Sequence, residues 1–414
     1  MVLLDSLPPK HSSQPLQKIK MEQKIRIGFL SEVDLKDVTR LSGTSYHIRR
    51  VLEEKGFEVV CLDRLEEGFH WRIFLKKVKA RLGRSLMGKK YPPWWTMAGA
   101  RVLAARAQKM IKKHQPDILF SWSTPIFSQL KSDIPKLLFT DATFHLLVDF
   151  YENYTGLGKS ALMDGEGLAF QAFYNADRLL FSSHWAAESA INDYLVPAEK
   201  VHVVTLGANL EISHDEDFIM SLVRKKKKDR IHLLFMGVDW KRKGGDKAIA
   251  IAGQLKELGF EVILHVAGSV PPAETPIPSF VQLHGFISKG SPEGRKALED
   301  LFSMVHFLVL PTIADCTPMV YAELNAYGIP AVTHLVGGVE TVVKHEKNGL
   351  LFETGSTSLE IAEGIAFCLR EPNHYEKLAL TSFKSFRDKL NWDVTAEQLA
   401  NHIKSLYYSK KKGL

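Results

Sequence analysis

Short, continuously apolar runs of strand length alternate with helical stretches along this chain, and the series occurs twice. The first series reads KIRIGFL (24–30), FEVVCL (57–62), DILFSW (117–122), KLLFT (136–140), RLLFS (178–182) and VHVVT (201–205). The second reads IHLLFMG (231–237), EVILHVAG (261–268), FVQLHG (280–285), HFLVLP (306–311) and AVTHL (331–335). Strands that are apolar on both faces and joined through helices form parallel sheets covered on both sides. The expected fold class is therefore α/β, with two doubly wound, Rossmann-like domains of similar size facing across a cleft. Open sheets of this kind bind ligands beyond the carboxyl ends of their strands. A site belongs in that cleft.

Residues 1–23 mix Pro, Ser, Gln and Lys without periodicity and read as a disordered tail. The first domain is expected over 24–206 and the second over 231–385, with a linker at 207–230, where LGANLEISHDED and RKKKKDR carry no strand pattern. Residues 386–414 end in NWDVTAEQLANHIKSLYYSKKK, an amphipathic helix expected to return to the first domain, followed by a basic tail. A chain of 414 residues can bury about three quarters of its unfolded surface, so bulk disorder is excluded. No apolar stretch approaches the ~18 residues of a spanning helix, and the opening MVLLDSLPPK lacks a signal-peptide core. A cytoplasmic location follows as the expectation. Cys61, Cys316 and Cys368 lie far apart without CxxC spacing and read as reduced thiols.

The net charge of +7 is unevenly spread. Residues 69–115 hold 13 Lys and Arg and no Asp or Glu, so the remaining chain carries 41 basic against 47 acidic residues. That concentration excludes a diffuse nucleic-acid binder and implies one surface facing something anionic. On a helical projection Trp71, Phe74, Leu75, Val78, Leu82 and Leu86 fall on one side, and the basic residues occupy the rest. An all-basic face with Trp on the apolar side suits a peripheral helix on an anionic membrane over residues 69–95, with Tyr91, Trp94 and Trp95 adding to it. The alternative is a helix packed on its own domain whose cations meet an anionic acceptor, or nothing.

Two constellations carry chemistry. The strand IHLLFMG runs into VDWKRKGGDKAIAIAGQL, which places Arg242 and Lys243 just before a Gly244-Gly245 turn and a helix start. Free amides, a helix dipole and two cations would converge there on a diphosphate; otherwise these are solvated loop charges beside a turn. After HFLVLP comes TIADCTPMVYAELNAYGIP, where Thr317 can cap a helix whose first turn holds Pro318. Asp315 and Glu323 frame that helix start, and carboxylates there suit sugar and ribose hydroxyls. The plainer reading makes Asp315 a cap and Glu323 a surface charge. The DxD triplet at Asp215 to Asp217 has no strand before it and reads as solvated loop rather than a metal site.

Taken together, KRKGG, the Asp315-x7-Glu323 block with its trailing NAYGIP, VGGVETV (336–342), HEKNGLLF (345–352) and NADRLLFSSHWAAESA (175–190) resemble the family 4 retaining glycosyltransferases of the GT-B fold. The resemblance covers about residues 24–410. It implies a nucleotide-diphosphate sugar as donor, a hydroxyl on a glycan or lipid-linked acceptor held by the first domain, and no metal or resident cofactor. Lys243 and Arg242 match the basic pair on the diphosphate, Glu323 the ribose-binding glutamate, and Asp315 the first carboxylate, near the donor sugar or its phosphate. The amides of Thr317, Pro318, Met319 and Val320 match the stretch receiving the distal phosphate, within the limit that proline has none. Ile287 matches the backbone position beside the nucleobase, and Gly43 the first-domain loop that closes over the phosphates.

Departures from the family pattern bear on specificity. Val238 stands where the family usually has arginine, Asp315 is shorter than the usual glutamate, and CTPM replaces a Phe-Gly step. Where the family often has a histidine after the fourth strand, this chain has Asp141, expected to position the acceptor hydroxyl, with His145 expected as a packed core histidine. Two other readings stay open at this point: a GT-B sugar-nucleotide epimerase, and a non-catalytic, degenerate transferase acting as a binding module.

Overall fold

The computed structural model describes residues 24–67, 94–210, 214–226 and 230–411. The expected tail at 1–23 and nearly all of the basic 69–95 segment lie outside the described residues. Trp94 and Trp95, which are described, are half-buried and pack against the first-domain core.

Each apolar series forms one all-parallel, six-stranded sheet. The first contains β1 (Arg26–Leu30), β2 (Glu58–Leu62), β3 (Ile118–Ser121), β4 (Lys136–Thr140), β5 (Arg178–Phe181) and β6 (Val201–Val203), in the order β2-β1-β3-β4-β5-β6. The second contains β7 (Arg230–Met236), β8 (Glu261–Ala267), β9 (Val281–Gly285), β10 (Phe307–Leu310), β11 (Ala331–His334) and β12 (Gly349–Phe352), in the order β12-β11-β10-β7-β8-β9. Every residue of β3, β4, β10 and β11 is buried, which is why the sequence shows continuous apolar runs rather than alternation. The second sheet has its topological switch between β7 and β10, which pair in parallel through Leu233 with Phe307 and Leu234 with Leu308.

The stretch expected as an interdomain linker carries a helix instead, Glu216–Lys225. Ile219 and Val223 belong to the second-domain core, and the charges around them hide their helical spacing in the sequence. Asp215 caps this helix by accepting the Phe218 N–H at 2.8 Å, so the acidic triplet is a helix start and not a free loop. Strand β12 also goes unread in the sequence, since four residues inside HEKNGLLF offer too short a run. Among the described residues, no helix is long and apolar enough to cross a membrane.

The chain passes between the domains twice, and the two passages run side by side. Ala208 N–H donates to Leu390 O at 3.0 Å, Thr395 Oγ1 to Thr205 O at 2.8 Å, and Trp392 Nε1 to Asn209 Oδ1 at 3.0 Å. The final helix, Trp392–Lys411, then buries Trp392, Ala396, Leu399, Ala400, Ile403 and Leu406 in the first-domain core with Ile25, Ile27 and Phe29. Gly207 makes this crossing possible: a Cβ there would lie 2.3 Å from Trp392 N and 2.5 Å from the Asn391 carbonyl carbon. Both neighbours are backbone and cannot swing away. Gly207→Ala is therefore expected to lower the thermal midpoint by several degrees; a midpoint unchanged in calorimetry would show that the crossing is loosely packed.

Candidate active site

At the β7 end of the switch point, Asp239 accepts the Arg242 N–H at 3.1 Å and so caps the short helix Trp240–Lys243. Gly244 follows with φ 81°, where a Cβ would come 2.3 Å from Pro311 O, so only glycine fits before the helix Gly245–Glu257 begins. This turn aims both cations at the β10 end. Lys243 Nζ donates to Asp315 Oδ2 at 2.6 Å, and Arg242 Nη1 donates to Asp315 Oδ1 at 3.1 Å and to Ala314 O at 2.7 Å. Thr312 Oγ1 adds a third bond to Asp315, at 2.9 Å. Asp315 is thus neither a cap nor a surface charge. It is the buried counterion, 6% exposed, of the buried Lys243, 8% exposed, and the half-buried Arg242. Burial pulls Lys243 below the usual lysine range, and Asp315 offsets part of that pull. An anion entering here competes with Asp315 for both cations.

Thr317 does not cap the helix Met319–Asn325. Pro318 itself takes the cap position, with ψ 123°, leaving Thr317 one residue too far out; its Oγ1 bonds Ser182 Oγ of the first domain at 2.8 Å. Pro318 likewise precedes the first turn rather than lying in it. Met319 and Val320 open the helix, so their amides lack intrahelical acceptors.

Glu323 is 1% exposed, the opposite of a surface charge. Lys289, which sequence reasoning missed, pairs with its Oε1, while Oε2 is buried with no hydrogen-bond partner. A buried carboxylate oxygen left unsatisfied costs free energy, so this atom calls for a donor. Ile287 precedes Lys289 on the same loop after β9 and packs against the second-domain core. Gly43 stands across the cleft, at φ 80°, opening the first-domain helix Thr44–Glu54. Lys289 contributes to holding His47 of that helix near pH 4, after burial and Arg50, so the helix faces the Glu323 pocket.

Asp141, just after β4, brings a third carboxyl to the centre. Burial raises it above the usual carboxylate range, and the charge of Asp315 adds to the rise, against opposing bonds from its own amide and that of Ala142. His145 is not a core histidine. Phe144 takes the inward position, fully buried over Gly165, and leaves His145 exposed with Nδ1 3.5 Å from Glu166 Oε1. Sequence reasoning also missed Tyr151 and Ser182, which meet the second domain at Cys316 and Thr317. Contacts between domains leave no periodic signal. The structure therefore gathers Asp141, Arg242, Lys243, Asp315 and Thr317 at one point, with Glu323 and Ile287 beside β9 and Gly43 on the opposing helix.

Residues 220–384 match the family described as glycosyl transferases group 1, and residues 44–212 match glycosyltransferase family 4. The D-inositol 3-phosphate glycosyltransferase of Xylanimonas cellulosilytica is 26% identical over 231 residues, 53% of this chain and 55% of that protein. The match thus spans about half the length of that curated relative. Among solved structures, sucrose-phosphate synthase from Thermosynechococcus elongatus superposes with a TM-score of 0.68 at 15% identity, covering 94% of this chain and 100% of that one. Anabaena HepE in complex with UDP-glucose gives 0.59 at 15% identity, covering 92% and 100%. Those likenesses establish the GT-B architecture. With one family matched in each half of the chain, the protein belongs to the family 4 glycosyltransferases.

Proposed function

We propose that this protein transfers a sugar from a nucleotide-diphosphate donor to a hydroxyl of a glycan or lipid-linked acceptor, with retention of anomeric configuration and without a metal. The observation that carries the reading is the buried Glu323, whose Oε2 lacks a partner, on the helix that follows the loop in which Asp315 holds Arg242 and Lys243. A ribose hydroxyl supplies the missing donor, and the two cations neutralise the diphosphate. The bound UDP-glucose of Anabaena HepE and the activity named for the Xylanimonas relative support the same reading.

In this scheme Lys243, Arg242 and the amides of Thr317, Met319 and Val320 stabilise charge on the departing diphosphate, a preorganised contribution of roughly 3 to 4 kcal/mol per donor in a dry site. Asp315 orients the basic pair and the donor sugar. Asp141, raised by burial, holds the acceptor hydroxyl against the anomeric carbon. Ile287 lines the nucleobase side and Gly43 lets the opposing loop close.

A thermal-shift panel of UDP, GDP and ADP sugars tests the donor site, since binding to the folded state raises the midpoint by mass action. One of the three is expected to stabilise the wild type and to lose its effect in Lys243→Ala and Glu323→Ala. No shift from any of them would remove the reading. The anomer formed, read by NMR, tests retention, and full activity in excess EDTA tests metal independence. We further propose that the basic residues 72–90 hold the protein at an anionic membrane, without Trp94 and Trp95, which pack on the first domain; the charge count supports this, and equal failure to sediment with anionic and neutral vesicles would remove it.

A further inference from the structure

Besides the Thr317–Ser182 bond, a loop of the first domain meets the second at the reacting centre. The loop at 149–155 follows the short helix Phe144–Leu147 and turns at Asp149, with φ 55°. Its Phe150 ring lies 3.0 Å from the point where a Cβ on Gly337 would stand, so the loop seats directly on the second domain. Next to it, the Tyr151 hydroxyl accepts the Cys316 N–H at 3.0 Å and donates to Cys316 Sγ at 3.4 Å. The Arg242 guanidinium carbon lies 5.4 Å from the Tyr151 ring centroid. Burial, with the neighbouring Cys316 and Asp315, drives the phenol far above its usual range, so the hydroxyl keeps its proton and can act in both directions.

We infer that Tyr151 is a positioning residue: it latches the first domain onto the Asp315 to Thr317 loop and fixes Arg242 in its working orientation. Arg242 is tied through Nη1 to Ala314 O and Asp315 Oδ1 and through Nε to Asp239 Oδ2 at 3.3 Å, in-plane bonds that leave the faces of the guanidinium open. The phenol ring closes one face by a cation–π contact, which is strengthened where water is excluded. The Cys316 amide, held by the hydroxyl, immediately precedes the Thr317 to Val320 stretch, so the same bond sets the direction of those amides. Tyr151 therefore couples closure of the cleft to assembly of the site. The role of Arg242 toward a donor rests on the proposed function; the latch itself does not.

Cys316 reports on the latch because it is 4% exposed and lies under Tyr151. Maleimide labelling of the full-length protein, resolved by peptide, is compared between wild type, Tyr151→Phe and Tyr151→Leu. Cys368, buried 1% exposed in the second-domain core, serves as the internal control. Tyr151→Phe loses two hydrogen bonds and keeps the ring, so Cys316 is expected to label about tenfold faster with Cys368 unchanged. Tyr151→Leu also loses the ring and is expected to label faster still. In transfer assays the Phe variant raises the donor KM with a smaller effect on kcat, whereas the Leu variant lowers kcat as well. Equal Cys316 rates in all three proteins, or parallel acceleration at Cys316 and Cys368, overturn the latch. Absence of any nucleotide-sugar shift in the wild type would overturn the donor reading and leave the labelling result to decide the latch separately.

Discussion

Lys243→Ala is expected to reduce transfer by about 10²- to 10³-fold and to destabilise the protein by about 3 kcal/mol, two effects with separable causes. The activity loss follows from removing a preorganised cation from a site too dry for water to replace it. The stability loss follows from leaving Asp315 buried with only Arg242 and Thr312 as partners. Lys243→Met combined with Asp315→Leu separates them: the buried pair is exchanged for apolar groups while Arg242 keeps Asp239 and Ala314 O, so stability should recover in part while activity stays absent. Asp315→Asn makes the opposite prediction for binding. It removes the carboxylate that competes with a diphosphate for both cations, so free nucleoside diphosphate binds more tightly while transfer falls. Calorimetric binding weaker than wild type in Asp315→Asn would show that Asp315 does not compete for the basic pair.

The second large effect is loss of stability in mild acid. His47, His265, His334 and His402 are each lowered to about 4, in every case chiefly by burial. Between pH 6.5 and 4 the unfolded chain binds protons that the folded chain refuses. Their contribution is therefore complete above pH 6.5 and is lost as pH falls toward 4. His265 is 2% exposed and His334 1%, and each accounts for about 2 kcal/mol lost by pH 5; the less buried pair contributes less. His265 has a further reason to stay neutral. Its Nε2 lies 2.9 Å from His232 Nδ1 and its Nδ1 2.9 Å from His284 Nε2, so a second ring proton requires the neighbour that was donating to switch tautomer. Urea unfolding at pH 7.5 and pH 5 is expected to differ by several kcal/mol in the wild type and by less in His265→Gln. Superimposable curves would count against buried neutral histidines.

The strands were legible because burial on both faces writes a continuous apolar run, as in KLLFT and HFLVLP. The basic pair stands out in KRKGG, but the sequence equally allows solvated loop charges there, and only the contacts with Asp315 draw the two cations inward. What the sequence hid has a common cause. The Glu216–Lys225 helix buries only Ile219 and Val223, so acidic and basic neighbours dominate its composition. Lys289 and Tyr151 matter through distant contacts, among them those with Glu323 and Cys316, 34 and 165 positions away, which no local pattern records. Thr317 has the residue type of a cap, but Pro318 adopts an extended ψ of 123° and takes the cap position itself.

The return of the last helix to the first domain has a bearing on how the protein is made. The layer formed by Ile25, Ile27, Phe29, Ile48 and Leu52 stays uncovered until Leu399, Ile403 and Leu406 leave the ribosome. The half that is translated second can thus mature ahead of the half translated first, reversing the usual vectorial order. During that interval the nascent first half exposes an apolar surface to solvent, which marks it as the stage most in need of a chaperone.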